Sequence, residues 1–166
     1  ASCLVGSEMC IRDSEKGVDT IVCLDGSEVL GAFLARHLAK NTLFAVNSDK
    51  NINVITPEYD SNGQLLFRDN LIPMVASRNV LLLISTVNSG KSIRRVVECA
   101  QYYGGRVQGI AAVFSTLEEM EGVPIYSLFT PEDIPGYATY APESCAMCRA
   151  GKRIDALANS YGLSAL

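Results

Sequence analysis

Residues 80 to 92, VLLLISTVNSGKS, pass from an apolar run into a small, polar loop that a helix is predicted to follow. Free backbone N–H groups and the positive end of the helix dipole converge at such a junction, which suits a phosphate group. A glycine lets the backbone approach the ligand, while hydroxyls and a lysine supply donors and charge. The predicted phosphate loop consists of Asn88, Ser89, Gly90, Lys91 and Ser92.

One pattern that this loop approaches is the nucleoside-triphosphate loop, G-x-x-x-x-G-K-[ST]. Its last three residues would be Gly90-Lys91-Ser92, but Ser85 stands where the first glycine belongs. A serine tolerates the backbone conformation of that glycine poorly. No apolar strand ending in Asp follows to hold magnesium. A degenerate nucleotide loop remains one alternative, and a serine that merely caps a helix is another.

The elements that position this loop follow from apolar periodicity and from stop signals. Strands are predicted around residues 20–24, at 42–48, 79–85, 107–115 and 123–129. Helices are predicted at 29–38, at 92–105 and, as a short terminal helix, at 153–162. Strands that alternate with helices predict an α/β fold with three layers, in which a mostly parallel sheet is flanked by helices. Residues 52–70 contain Asn62-Gly63 and predict a β-hairpin insertion.

These features resemble the type I phosphoribosyltransferases. The family motif has four apolar residues, two acids, two mostly apolar residues and Thr-Thr-Gly-Gly-Thr/Ser, and residues 80–92 resemble it, with 80–83 as the apolar run and 88–92 as the loop. Residues 19–39 resemble the family's first core strand, pyrophosphate loop and helix. Residues 141–151, APESCAMCRAG, resemble a C-terminal segment of some orotate phosphoribosyltransferases. The likeness covers residues 19 to about 155.

The resemblance implies binding of phosphoribosyl pyrophosphate or a nucleoside monophosphate, with magnesium, and transfer of phosphoribosyl to an orotate-like nucleobase in pyrimidine biosynthesis. A small-molecule ligand and a homodimer are expected. Residues 88–92 would hold the 5-phosphate, and the hairpin would be the mobile catalytic loop. The pyrophosphate loop would be Asp25, Gly26, Ser27 and Glu28. Lys50 and Arg68 would add charge from the hairpin, and Phe129 and Tyr137 would contact the base.

Two departures from the family pattern bear on catalysis. Ile84 and Ser85 occupy the positions of the two acids, which in the family bind the ribose hydroxyls and help to organise magnesium. Charge stabilisation at the reacting centre is commonly the largest catalytic contribution. Ser115 and Thr116 stand where orotate enzymes carry an Asp-Arg pair. A non-catalytic regulator that binds a nucleotide or a phosphoribosyl ligand is therefore an alternative.

The remaining candidates have plainer interpretations. Asp25 and Glu28 are also spaced as a capping box for the first helix. Cys145 and Cys148 are too few for a structural zinc, which normally takes four ligands. Zinc shared across a dimer, a redox dithiol and a simple dithiol all remain open for this pair. Cys23 and Cys99 are expected to be buried thiols.

Composition narrows the class of protein. The chain has 166 residues, 48% of them hydrophobic and 19% charged, with a net charge of −4. These values indicate a globular domain, and without a basic cluster a nucleic-acid surface is not expected. No apolar run is long enough to span a membrane. Without a recognisable signal peptide, a cytoplasmic, reduced protein is expected.

Residues 3 to 14, CLVGSEMCIRDS, match the translation of a transposase-type sequencing adapter. We therefore interpret residues 1–14 as a non-native segment and residues 15–166 as the phosphoribosyltransferase-like domain. The natural protein is then expected to continue upstream of Glu15, so that its N-terminal elements are truncated here.

Overall fold

The structure is a computed structural model, and it describes residues 17–39, 51–159 and 162–166. The predicted strand at 42–48, the adapter-like segment and Lys50 lie outside these ranges. The strands of the described residues are β1 Thr20–Cys23, β2 Asn53–Ile55, β3 Glu58–Tyr59, β4 Leu65–Leu66, β5 Asn79–Val87, β6 Arg106–Ser115, β7 Glu119–Met120, β8 Val123–Phe129, β9 Ala156–Asn159 and β10 Gly162–Ala165. Their helices are α1 Glu28–Leu38, α2 Ile72–Val75, α3 Lys91–Tyr102 and α4 Ala146–Arg149, with 3₁₀ turns at Pro131–Asp133 and Pro142–Ser144.

Six strands form the main sheet in the order β2-β1-β5-β6-β8-β7. Every neighbouring pair is parallel except β7 and β8, which run antiparallel over four residues. Parallel strands are usually buried on both faces, and β5 carries buried side chains at each position from Val80 to Ile84. The predicted α/β class and mostly parallel sheet are confirmed.

Side chains alternate between the two faces of the sheet and make two separate cores. On one face, Leu82 and Ile84 of β5 pack with Ile93 and Val97 of α3. On the other face, Leu81 and Leu83 of β5 pack with Cys23 of β1 and with α1. The sheet therefore forms the middle of three layers, with α1 and α3 on opposite sides.

The predicted hairpin is present but shorter than residues 52–70, because β3 pairs antiparallel with β4 whereas Asn53–Ile55 pairs parallel with β1 in the main sheet. Asp60 holds its turn, because Oδ1 accepts hydrogen bonds from the N–H groups of Asn62 (2.8 Å) and Gln64 (2.7 Å). Gly63 has a φ of +74°, a left-handed conformation that glycine adopts without steric cost.

The predicted terminal helix at 153–162 is wrong. Residues Ala156–Asn159 instead pair antiparallel with Gly162–Ala165. An amphipathic helix needs a surface to cover, but Ile154 and Leu157 are 70% and 54% exposed. Strand pairing satisfies the backbone of this tail without such a surface. Strand β7 was not predicted.

No helix of the described ranges has the length and apolar character to cross a bilayer.

Candidate functional site

The predicted phosphate loop and the predicted pyrophosphate loop meet at one edge of the sheet. Strands β1 and β5 are parallel neighbours, so the segments that follow them emerge side by side. Between them lies a depression of about 240 Å³. It is lined by Asp25, Ile84, Thr86, Val87, Asn88, Ser89, Gly90, Lys91, Ser92 and Ile93. This depression therefore contains all five predicted phosphate-loop residues and one of the four predicted pyrophosphate-loop residues.

Gly90 shapes the loop at the start of α3. It is the N-cap residue, with a φ of +73°, and no side chain caps the helix. The N–H groups of the first helical turn have no partner within the helix, so they suit an anionic ligand. The exposed Ser89, Lys91 and Ser92 flank this turn. The loop therefore offers amides, hydroxyls and one positive charge to a phosphate.

Close packing fixes Gly90 against the segment that follows β6. A Cβ at this position would lie 2.0 Å from the Met120 Cε atom and 3.2 Å from the Leu117 Cδ1 atom. Any larger residue would both clash and adopt a strained backbone conformation. The glycine is thus required by packing as well as by the turn.

Asn88 ties the phosphate loop to two distant segments. Thr116 donates from its N–H to the Val87 carbonyl (3.0 Å) and from Oγ1 to the Asn88 carbonyl (2.7 Å). The Tyr137 hydroxyl donates to Asn88 Oδ1 at 2.5 Å, and its ring packs on Phe114 with centroids 4.7 Å apart. No local sequence pattern predicts this network, because the partners of Asn88 lie 28 and 49 residues away.

The segment after β1 is a tight, left-handed turn. Asp25 and Gly26 have φ values of +54° and +76°. The buried Ser27 accepts a hydrogen bond from the Leu24 N–H (3.1 Å) and donates one to the Leu83 carbonyl (3.2 Å). Its hydroxyl therefore joins this turn to β5 and does not face the depression as a free group.

The predicted capping box is wrong. Helix α1 begins at Glu28 with Ser27 as its N-cap, so Glu28 is the first helical residue rather than the third. The left-handed backbone of Asp25 turns the chain before the helix starts. The Glu28 carboxylate instead accepts a hydrogen bond from Thr56 Oγ1 at 3.1 Å.

The positions of the family's acids are apolar or neutral. Ile84 is only 3% exposed and belongs to the core beneath α3, while its edge lines the depression. Ser85 is half-buried and is not among the lining residues. Asp25 is the carboxylate that lines the depression. Magnesium bound to phosphate oxygens commonly takes one or two protein carboxylates, which Asp25 could provide. Over the described residues, no three His, Cys, Asp or Glu side chains cluster as a metal site.

Among the residues at and near the family's base site, Ser115 and Tyr137 make hydrogen bonds within the protein. Ser115 Oγ donates to the Leu117 carbonyl (2.7 Å) and accepts from the Leu117 N–H (3.0 Å). Tyr137 contacts the phosphate loop, as described above. Phe129 ends β8, is 49% exposed and does not line the depression.

The hairpin side chains lie apart from the depression. Arg68 donates from Nε (2.8 Å) and Nη2 (2.5 Å) to Glu58 Oε2 across the hairpin. These hydrogen bonds, with the charge of Arg68, lower the pKa of the Glu58 carboxyl. A second, larger depression of about 760 Å³ lies between the hairpin and the outer face of α3, and it was not predicted.

The four described cysteines fall into two classes. Cys23 and Cys99 are buried, as predicted, and burial raises the pKa of Cys23 to about 11. Cys145 is half-buried and Cys148 is exposed. In the described ranges no further ligand gathers around this pair to complete a zinc site.

Comparison with known proteins identifies relatives of two kinds. No family profile matches the chain. Orotate phosphoribosyltransferase of Chlorobium phaeobacteroides is 26% identical over 146 residues, covering 86% of this chain and 66% of the relative. Orotate phosphoribosyltransferase of Thermus thermophilus is 30% identical over 128 residues, which cover 76% of this chain and 61% of the relative. The transcriptional regulator GfcR of Methanocorpusculum labreanum is 26% identical over 122 residues, which cover 72% of this chain and 57% of the relative. The chain thus spans less than two thirds of the length of each of these relatives.

Solved structures give the same fold. A hypoxanthine-guanine phosphoribosyltransferase of Bacillus anthracis superposes with a TM-score of 0.56 at 16% identity, covering 82% of this chain and 77% of the other. Orotate phosphoribosyltransferase of Aeropyrum pernix superposes with a TM-score of 0.50 at 15% identity, and the match covers 79% of this chain and 71% of the other. The chain therefore has the fold of the type I phosphoribosyltransferases, and its sequence resembles orotate phosphoribosyltransferases over 61–66% of their length.

Proposed function

We propose that the chain binds phosphoribosyl pyrophosphate or a nucleoside monophosphate, with the 5-phosphate on residues 88–92. The observation that carries this proposal is the left-handed Gly90 at an uncapped helix start, in a loop that Thr116 and Tyr137 hold in place. The ligand's phosphate would accept hydrogen bonds from the first-turn amides of α3 and from the Ser89 and Ser92 hydroxyls. Lys91 would balance part of its charge.

The rest of the ligand follows from the shape of the depression. Its ribose would lie over the end of β5, where Ile84 forms an apolar floor. A pyrophosphate group would face the turn after β1, where its repulsion by Asp25 requires a bridging cation. Magnesium would supply that charge neutralisation, with Asp25 as the protein ligand.

The nominal reaction is transfer of phosphoribosyl from phosphoribosyl pyrophosphate to a nucleobase. The protein would orient the phosphate and the pyrophosphate so that the base approaches the anomeric carbon opposite the leaving group. An orotate-like base is the expectation from the relatives. Its carboxylate would find no cationic side chain at Ser115 and Thr116, whose hydroxyls are already bonded within the protein.

A regulator that binds the same ligand without transfer is the second candidate. It is favoured by Ile84, which can neither bind ribose hydroxyls nor hold a metal, and by the likeness to GfcR. The triphosphate-loop alternative is weaker, because Ser85 lies inside β5 rather than in a loop. Both main candidates share the phosphate site, and they differ in whether transfer follows. A homodimer in the cytoplasm is part of the proposal for either.

Calorimetric titration with phosphoribosyl pyrophosphate and with nucleoside monophosphates, each with and without magnesium, tests the site. Ser89→Asp places a carboxylate at the phosphate position and should abolish binding without unfolding the protein. Ser164→Asp, which adds the same charge on the exposed strand β10, is the matched control. Equal binding by the two variants would refute the proposed phosphate site.

Restored acids test for a ribose and a metal at the end of β5, and turnover separates the two candidates. Ser85→Asp, at a half-buried position, should tighten the magnesium-dependent binding of phosphoribosyl pyrophosphate if a ribose and a metal lie at the end of β5. The double change Ile84→Asp with Ser85→Asp rebuilds the family pair, but a carboxylate replacing the buried Ile84 should destabilise the fold. Parallel melting curves identify that loss. Product formation by the wild-type chain with any nucleobase favours the transferase, and binding without turnover favours the regulator.

A further inference from the structure

The segment after β8 carries a second reactive arrangement, which the phosphate site does not use. Cys145 is the N-cap residue of α4, and Cys148 lies one helical turn later. The Arg149 N–H donates to the Cys145 carbonyl at 3.1 Å, so the turn between the two cysteines is closed. One helical turn separates Cα atoms by about 5 Å, which is within the range of about 4.4 to 6.8 Å that a disulfide spans.

The backbone of Cys148 contacts the Cys145 sulfur directly. The Cys148 N–H donates to the Cys145 sulfur at 3.4 Å. This backbone hydrogen bond is the largest cause that lowers the pKa of the Cys145 thiol, and interaction with the Cys148 side chain lowers it further. The pKa of Cys148 is raised, first by its hydrogen bond to Cys145 and then by the charge of the Cys145 thiolate.

Access separates this pair from the other described cysteines. Cys148 is exposed and Cys145 is half-buried, whereas Cys23 and Cys99 lie in the two cores. Thiolate character and access together determine which cysteines react with disulfides. With no third metal ligand gathered near them in the described ranges, both sulfurs remain available for that chemistry.

We propose that Cys145 and Cys148 are a redox couple that a low-molecular-weight disulfide, such as oxidised glutathione, converts reversibly into an intramolecular disulfide. The Cys145 thiolate attacks one glutathione sulfur, and the other glutathione leaves as a thiolate that takes a proton from water. The mixed disulfide removes the negative charge beside Cys148, so its thiol deprotonates more readily. The Cys148 thiolate then attacks the Cys145 sulfur and releases the second glutathione. Two protein thiols are oxidised while one glutathione disulfide is reduced to two thiols.

The test uses the full chain, equilibrated in glutathione buffers of increasing oxidised fraction, quenched with acid and mapped by mass spectrometry. The peptide that holds both cysteines should lose two hydrogen atoms over a narrow range of buffer composition, and dithiothreitol should restore them. Cys23 and Cys99 serve as internal controls and should remain thiols throughout. Persistent glutathione adducts on the pair, or no change at all, would overturn the proposal.

Two single variants assign the order of attack. Cys148→Ser keeps the attacking thiol, so it should stop at a stable glutathione adduct on Cys145. Cys145→Ser should react several-fold more slowly, because the remaining thiol lacks the backbone hydrogen bond that favours the Cys145 thiolate. Equal rates for the two variants would contradict the assigned roles. Metal analysis of the protein as purified completes the test, since one zinc per two chains that disappears in Cys148→Ser would show a shared metal site instead.

Discussion

Gly90→Ala probes the packing of the phosphate loop most directly. Alanine at a φ of +73° costs about 1–2 kcal/mol relative to glycine. Its Cβ would also meet the Met120 Cε atom at 2.0 Å, and Met120 is 9% exposed, so its end must move within a packed region. Overpacking of this kind costs about 1–3 kcal/mol. The free energy of unfolding should therefore fall by about 2–5 kcal/mol.

Urea unfolding followed by circular dichroism measures this loss, and Gly63→Ala is the matched control. Gly63 has nearly the same φ, +74°, but a Cβ there meets nothing within 4 Å. Gly63→Ala should show the backbone cost alone, about 1–2 kcal/mol. The excess for Gly90→Ala is then the cost of the contact with Met120. The same variant should weaken binding of a nucleoside monophosphate, because the loop must shift to make room.

A double-mutant cycle makes the explanation refutable. In a Met120→Ala background the clashing methyl group is gone, so the added cost of Gly90→Ala should fall to that of Gly63→Ala. If Gly90→Ala lowers the free energy of unfolding no more than Gly63→Ala does in the wild-type background, the inferred clash with Met120 does not occur. If the excess persists without Met120, it arises from another contact.

Three further outcomes are expected. Deletion of residues 1–14 should leave the melting temperature unchanged, and a drop of many degrees would show that the segment belongs to the fold. Tyr137→Phe removes a hydrogen bond from the phosphate loop and should weaken phosphate-ligand binding about 2- to 10-fold in calorimetry, while Tyr140→Phe, at an exposed tyrosine, should not. Gly31→Ala brings a Cβ to 2.4 Å from the Cys23 sulfur and should destabilise the protein by about 1–3 kcal/mol. That loss should shrink in a Cys23→Ala background, and an unchanged loss would argue against the contact.

Local sequence signals were sufficient for the elements next to the phosphate loop. The apolar run before residue 88 is β5, and the helical spacing of Ile93, Val96, Val97 and Ala100 is the buried face of α3. Asn62-Gly63 marked the hairpin correctly. Each of these features depends on a pattern that repeats within a few residues, which a single sequence displays.

Features set by distant contacts or by unusual backbone angles were not predictable in this way. Asp25 to Glu28 has capping-box spacing, yet the positive φ of Asp25 moves the helix start to Glu28. The Tyr137 hydroxyl bonds to Asn88, which lies 49 positions earlier, and no local pattern displays such a contact. The tail 153–162 has the apolar spacing of a helix, but no apolar surface of the described residues packs against it. The rest of the fold determines whether such a surface is present.

The network on Asn88 has a consequence for the thermodynamics of binding. Hydrogen bonds from Thr116 and Tyr137 hold the loop before any ligand arrives. Ordering a flexible backbone costs about 1–2 kcal/mol per residue in conformational entropy, and a loop held in advance avoids most of that cost on binding. At the proposed phosphate site, affinity would thus depend partly on residues that never contact the ligand. The segment after β8 would contribute to it by keeping the unliganded loop in the proposed binding conformation.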